Sequence, residues 1–283
     1  MSQPGMTTHT LRIADRDIHM SETGSGPPLL LLHGGGPGAS GLSNYGRNID
    51  ALARYFRVIV PDMPGYGQST KRIDKSDSFG DLAAAMRGLL DALGVDKAHI
   101  AGNSLGGATG LRLAMDAPAR VNRLVLMGPG GIGTTRALPT RGLNNLLHYY
   151  KGEGPTRAKL ERFIRNDLVA PGIKVDDALI EARFRDSIRP EVVANPPLTR
   201  PPGLRALWRM DLTRDRRLRN LPHPVLVLWG ANDRVNRPSG ADWLRRHLPD
   251  CSTYILARTG HWVQWERANQ FNALTTAFLE ARA

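Results

Sequence analysis

The sequence predicts an α/β fold: a mainly parallel sheet with helices on both faces and a helical insertion late in the chain. Three observations predict it. Short continuous apolar runs alternate with amphipathic helix-forming stretches, the pattern of strands covered on both faces and of the helices that cover them. One apolar run, ending in Ile100-Ala101, breaks off into Gly102-Asn103-Ser104-Leu105-Gly106-Gly107, and a helix-forming segment follows at once. From about Gly128 to Leu221 the alternation stops, and no comparable strand-like run appears.

With 283 residues the chain can bury a substantial core as one large domain carrying an insertion. The expected division is a core domain of residues 1–130 and 220–283 and a helical lid of residues 131–219. No run of about 18 apolar residues is available to span a bilayer. The N-terminal MSQPGMTTHT lacks the basic-then-apolar layout of a signal peptide. A cytoplasmic protein with no membrane partner is therefore expected. Cys251 is the only cysteine, so no intrachain disulfide and no cysteine-based metal cluster can form, and packing is its expected role. Lys and Arg total 38 against 26 acidic residues, for a net charge of +12. Residues 131–220 alone hold 18 basic and 10 acidic side chains. No zinc-finger spacing, RNP-like aromatic stripe or helix-turn-helix signature organises that charge for base contacts. The expectation is a solvated basic face that draws in an anionic substrate, with no nucleic acid as partner.

The elements follow in order. His9 to Glu22 alternate apolar and polar across Leu11, Ile13, Ile18 and Met20, as a strand pair with a turn near Asp15-Arg16-Asp17 would. Pro28-Leu29-Leu30-Leu31-Leu32 reads as a buried strand running into His33 and the loop Gly34-Gly35-Gly36-Pro37-Gly38. Ile49 to Phe56 reads as a short helix, Arg57 to Pro61 as a strand, and Asp62 to Ser69 as turns. Leu82, Met86, Leu89, Leu90 and Leu93 fall on one helical stripe, with Gly94 at the expected C-terminal cap. The strand before Ser104, a helix over Gly106 to Asp116 and a strand over Val121 to Met127 continue the alternation. Within the insertion, Gly142 to Tyr150, Arg157 to Leu168 and Asp176 to Ser187 are helix-like, and Ala194 to Pro202 is proline-rich. The sheet resumes at Val225 to Gly230, followed by a helix near Ser239 to Leu248 and a strand near Thr253 to Leu256. A final helix bears Phe271, Leu274 and Phe278.

The chemistry centres on Ser104. A strand that ends in Gly-x-Ser-x-Gly and turns at once into a helix is a nucleophile elbow, tight enough that a Cβ at either flanking glycine would collide with strand or helix. Such pentapeptides also occur in ordinary loops, so the serine needs partners. A serine nucleophile requires a base, and the base an orienting carboxylate. On this type of elbow they follow in the order serine, acid, histidine. Asp233, just beyond the strand ending at Gly230, fits the acid, and His261, after the last strand, fits the base. His33, placed before the glycine loop, fits a structural role better. The glycine loop lacks the Gly-Lys-Ser/Thr of a phosphate cradle. His-Gly-Gly-Gly after a strand is instead an oxyanion-loop pattern, and the oxyanion hole is assigned to the backbone N–H groups of Leu105 and Gly35.

The whole chain resembles the α/β-hydrolase family and, within it, the meta-cleavage product hydrolases, which break a carbon–carbon bond in dienoates from aromatic ring fission. The resemblance rests on His33-Gly34-Gly35-Gly36-Pro37-Gly38-Ala39-Ser40-Gly41 with Ser43-Asn44-Tyr45 and Arg47-Asn48. It rests also on Gly102 to Gly107, on Met127-Gly128-Pro129-Gly130-Gly131 and on Gly260-His261-Trp262-Val263-Gln264-Trp265-Glu266. It implies Ser104, Asp233 and His261 as the triad, with Asn44, Asn103, Arg183 and Trp262 around the 2-hydroxy-dienoate end of the substrate. Arg183, in Leu179-Ile180-Glu181-Ala182-Arg183, would offer a two-pronged donor to the carboxylate, and the asparagine amides would hold neighbouring oxygens. The implied reaction needs no metal or organic cofactor, and the implied assembly is a homo-oligomer, a dimer or larger. Leu42 departs from the aromatic residue frequent in relatives, and Asp233-Arg234-Val235-Asn236 resembles the steroid-degrading branch. Arg200 to Leu221 aligns with neither that branch nor the biphenyl branch. A carboxylesterase on the same fold is the alternative to a carbon–carbon hydrolase, and a basic nucleic-acid-binding protein is the remote one.

Overall fold

The computed structural model describes residues 5–281. The chain opens with a hairpin in which β1 (Thr7–Ile13) and β2 (Arg16–Thr23) pair antiparallel. The turn sits at Ala14 and Asp15, slightly earlier than the charged triplet suggested, with Ala14 at φ 51°. Then come β3 (Pro28–Leu32), α1 (Gly41–Tyr45), α2 (Ile49–Leu52), β4 (Arg57–Pro61), α3 (Ser78–Ala92), β5 (Ala98–Asn103), α4 (Leu105–Asp116) and β6 (Val121–Met127). The helix read over Ile49 to Phe56 is only one turn long. The short α1 escaped the sequence reading; Ser40 caps it by a reciprocal bond with Ser43.

Six helices fill the insertion: α5 (Arg141–Leu147), α6 (Arg157–Phe163), α7 (Asp177–Ser187), α8 (Pro190–Ala194), α9 (Gly203–Arg209) and α10 (Arg216–Arg219). The helix expected to run from Arg157 to Leu168 loosens into a π-turn over Ile164–Leu168. The last three helices were not foreseen: α8 ends where the proline-rich stretch begins, and α9 and α10 follow it. Pro190 tolerates its place in the first turn of α8 because the missing N–H has no helical partner there. The chain closes with β7 (Val225–Gly230), α11 (Ser239–His247), β8 (Cys251–Leu256), α12 (Val263–Glu266) and α13 (Ala268–Glu280).

The eight strands form one sheet in the order β1-β2-β4-β3-β5-β6-β7-β8, antiparallel at β1-β2 and β2-β4 and parallel elsewhere. Alternation along the strands divides the core. Leu30 and Leu32 pack with Leu82, Met86, Leu111 and Leu244 on one side, and Leu29 and Leu31 with Tyr45, Ile49 and Phe271 on the other. All four leucines are fully buried, each contributing about 1.5–3 kcal/mol relative to exposure. Cys251 packs at the margin of the first layer, and burial pushes its thiol up to about 12. A third cluster joins Leu146, Leu160, Phe163, Ile164 and Ile180 of the insertion to Trp262 and Trp265, which belong to the loop and helix after β8. The insertion thus rests over the C-terminal ends of β3, β5, β7 and β8, the edge where parallel sheets place their ligand sites.

Candidate active site

Ser104 stands between β5 and α4 with φ 52° and ψ −111°, a conformation that costs of order 1–3 kcal/mol for a residue with a Cβ. The surroundings hold it there. Its N–H donates to Met127 O and its carbonyl accepts from Gly130 N, both at 2.9 Å. A Cβ on Gly106 would lie 2.1 Å from Leu32 O, and one on Gly102 would lie 2.5 Å from Gly106 O. The glycines on either side of the serine are therefore steric requirements of the turn.

Asp233 and His261 arrive from the loops after β7 and β8. Asp233 Oδ2 meets His261 Nδ1 at 2.7 Å and accepts from Trp229 Nε1 at 2.9 Å. Its other oxygen accepts from the N–H groups of Val235 and Asn236 at 2.8 and 2.9 Å. A carboxylate so fully used has one orientation left, and it fixes the histidine with a proton on Nδ1 and Nε2 available as base. His261 Nε2 is buried and makes no hydrogen bond within the described residues. It lines one cavity with Ser104, and a triad acting there would tighten a serine–histidine bond as the reaction begins.

His33 has the structural place expected of it. Its Nε2 accepts from Met63 N at 2.9 Å while Nδ1 bonds Gly34 O at 2.8 Å, pinning the glycine loop to the loop after β4. Burial lowers its pKa and keeps the ring neutral. Tyr66, which the sequence reading passed over, donates to Gly35 O at 3.1 Å. A Cβ on Gly35 would lie 3.3 Å from the Leu105 Cβ, so the two assigned oxyanion residues are neighbours. Neither backbone N–H is used in a hydrogen bond among the described residues. Leu105 N also opens α4, whose dipole favours negative charge at that point.

Asn44, Asn103, Arg183 and Trp262 line the same cavity. The asparagine amides are not free to donate as the resemblance implied. Asn103 Nδ2 donates to Met127 O and His261 O, both at 3.1 Å, and Asn44 Nδ2 to Ser40 O at 3.1 Å. Asn44 Oδ1 accepts from Gly34 N at 3.3 Å and Trp262 Nε1 at 3.2 Å. Both residues brace the loops around the serine, a role that depends on tertiary neighbours no sequence motif displays.

Arg183 differs from all of these. It is 3% exposed and donates from Nε to Pro37 O at 3.0 Å, and it has no carboxylate partner among the described residues. Its guanidinium lies 5.3 Å from the centre of the Trp262 ring. Burial pushes its pKa down to about 10, which leaves it charged at neutral pH. An unpaired buried cation is costly, and a bound anion would offset that cost.

Glu266 organises the histidine loop. Its carboxylate accepts from Gly260 N at 2.9 Å, Trp262 N at 3.2 Å and, across to the insertion, Ala170 N at 2.9 Å. His261 N in turn donates to Leu168 O at 2.8 Å. Burial raises the Glu266 pKa, and these N–H bonds oppose the shift.

Comparison with known proteins agrees with this geometry. Residues 27–147 match the alpha/beta hydrolase fold family. A 2-hydroxy-6-oxo-6-phenylhexa-2,4-dienoate hydrolase of Burkholderia cepacia is 36% identical over 266 residues, 93% of this chain and 91% of that protein. A 2-hydroxy-6-oxononadienedioate/2-hydroxy-6-oxononatrienedioate hydrolase of Comamonas testosteroni matches with the same identity and coverage. The solved meta-cleavage product hydrolase CumD of Pseudomonas fluorescens IP01 is 30% identical with a TM-score of 0.84, over 96% of this chain and 97% of that one. The chain is a meta-cleavage product hydrolase of the α/β hydrolase fold.

The cavity of this hydrolase is closed down. Between the sheet edge and Leu146, Phe163 and Leu168 of the insertion it leaves about 20 Å³ for the centres of water-sized molecules, room for a water, which needs roughly 10–15 Å³ on that measure, but not for a dienoate. A dienoate can enter only if the insertion or its side chains move. Among the described residues no group of three or more His, Cys, Asp or Glu side chains could hold a metal ion, and no helix is long and apolar enough to cross a membrane.

Proposed function

We propose that this protein hydrolyses the carbon–carbon bond of 2-hydroxy-6-oxo-hexa-2,4-dienoate-type meta-cleavage products, releasing 2-hydroxypenta-2,4-dienoate and a carboxylic acid. The observation that carries the reading is Arg183: a buried guanidinium without a carboxylate partner, in one cavity with Ser104 and His261. An ester needs no such cation; a dienoate carboxylate does. The guanidinium fork binds that carboxylate, and the indole of Trp262 packs beside it. In this reading residues 131–219 are the lid that brings Arg183 over the core.

Held there, the dienol first becomes a ketone: its hydroxyl proton leaves and C5 gains one, so the 2-oxo group can accept an electron pair. His261 Nε2 then takes the Ser104 proton as Oγ adds to the distant C6 carbonyl. The N–H groups of Gly35 and Leu105 stabilise the resulting oxyanion. Its collapse breaks C5–C6, the electron pair passes into the conjugated 2-oxo system, and the released dienolate takes up the proton carried by His261, which restores the base. Water, activated by His261, releases the acid from Ser104. A water activated in the same place, attacking directly, gives the same products.

Leu146, Phe163 and Leu168 form the insertion's share of the cavity wall along with Arg183, and no second cation lines it. That composition favours an apolar acyl group, phenyl or alkyl, over one ending in a second carboxylate. The test is a panel of coloured dienoates carrying alkyl, phenyl, steroid-derived and carboxylate-terminated acyl groups, followed by loss of absorbance. The phenyl and alkyl members are expected to bleach fastest. Wild-type protein that leaves the whole panel intact but turns over simple esters would make the same site a carboxylesterase.

A further inference from the structure

The insertion leaves the sheet and returns to it at one joint. Leu212 N donates to Gly131 O at 2.8 Å. The Asp211 carboxylate gathers both limbs, accepting from Thr135 N at 2.8 Å and Thr213 N at 3.1 Å and from both threonine hydroxyls. Against this joint lies a cleft of about 530 Å³ lined by Arg136, Thr213, Arg214, Arg216, Arg219 and Asn220. Arg136 belongs to the outgoing limb and the other three arginines to the returning one.

The carboxylates nearby are already engaged. Asp211 serves the threonines, and Asp215 and Asp116 pair with Arg217 at 2.7 and 2.9 Å. Among the described residues none of the four lining arginines forms an ion pair. Arg214 donates to Thr135 Oγ1 at 2.9 Å and lies 4.9 Å from the Trp208 ring centre; Arg219 lies 5.8 Å from that of Trp243. Four like charges around one concavity repel each other and concentrate counter-ions. The substrate cavity shares none of these residues, so they do not contact a dienoate bound there.

We propose that this cleft binds a small polyanion with adjacent phosphate groups, the chemistry shared by a nucleotide triphosphate and inorganic polyphosphate. Guanidinium forks match phosphate oxygens in pairs, and the volume lies in the range of small-ligand sites. A ligand held by Arg136 on one side and Arg214, Arg216 and Arg219 on the other bridges the two limbs. By linkage it favours the lid position seen here over any other.

Calorimetric titration of the full chain with tripolyphosphate, ATP and inorganic phosphate at constant ionic strength tests this. One equivalent of tripolyphosphate or ATP binds, and inorganic phosphate binds more weakly. Tighter binding of ATP assigns the site to a nucleotide, and equal binding assigns it to the phosphate chain alone. The double variant Arg216→Ser/Arg219→Ser removes two exposed side chains that hold no hydrogen bond, and circular dichroism checks its fold. Its affinity is expected to fall by at least about tenfold, the usual scale for a lost hydrogen bond to a charged group. The proposal is overturned if tripolyphosphate and ATP bind no better than chloride at matched ionic strength, or if the double variant binds them unchanged. Duplex DNA binding where tripolyphosphate does not would overturn it too, in favour of a nucleic-acid surface.

Discussion

The two halves of the active site are built by different means. On the sheet side, Ser104, Asp233 and His261 sit on loops at strand ends, and backbone hydrogen bonds and glycine packing leave each one orientation. On the insertion side, Arg183 is held by one hydrogen bond to Pro37 O and by tyrosines and a tryptophan that do not neutralise it. On the sheet side, of the triad's buried side-chain polar atoms only His261 Nε2 is left without a partner among the described residues, whereas in the proposed function the insertion side is completed by the substrate carboxylate. Bond-breaking groups must not move as charge develops; a group that admits and releases substrate must.

The sharpest way to break this contrast is Ser104→Ala. Turnover of every substrate is expected to fall by about 10⁴–10⁶, with the melting temperature nearly unchanged because the strained turn is kept. Loss on dienoates but not on esters would separate two active sites and end the single-site view. Arg183→Met should show the opposite pattern. Dienoate kcat/KM drops by roughly 10²–10⁴ for two lost charged hydrogen bonds, ester turnover is spared, and thermal stability holds or rises once the unpaired charge is gone.

Glu266→Gln probes the seam between the halves. An amide cannot accept all of the N–H groups that the carboxylate serves, so stability falls by about 1–3 kcal/mol. Turnover falls by ten- to a hundredfold as the histidine loop slackens, measured by urea unfolding and steady-state kinetics. The smallest effect lies in the sheet itself. Burial, aided by Arg123 and Lys97, lowers His99 from 6.5 to about 4, so the folded state favours its neutral ring. That stability is complete above about pH 6.5 and is lost as pH falls toward 4. At pH 5 the loss is about 1–2 kcal/mol, and His99→Gln should flatten this part of the stability curve.

How much could be read beforehand follows the same division. The strands were legible because a sheet covered on both faces demands continuous apolar runs such as Leu29 to Leu32. Asp233 and His261 were legible because chain order leaves few candidates once Ser104 is chosen. Arg183 could not be picked from the residues themselves, since its segment is rich in arginine and only tertiary packing buries this one. Asn44 and Asn103 were legible as residues beside the serine, but the carbonyls and N–H groups that hold them were not, being distant in sequence or fixed only by folding. The late helices of the insertion stayed hidden behind prolines, although Asp215, which caps α10, was a signal in plain sight.

The bonds joining Leu168 and Ala170 to the histidine loop have a consequence for how this enzyme can diversify. They divide the insertion into an inner edge tied to the histidine loop and outer helices free of it. Leu168 belongs to both the cavity wall and that tie, whereas α8 and α9 line neither. A change at the inner edge therefore alters the shape of the pocket and the seat of the histidine at once.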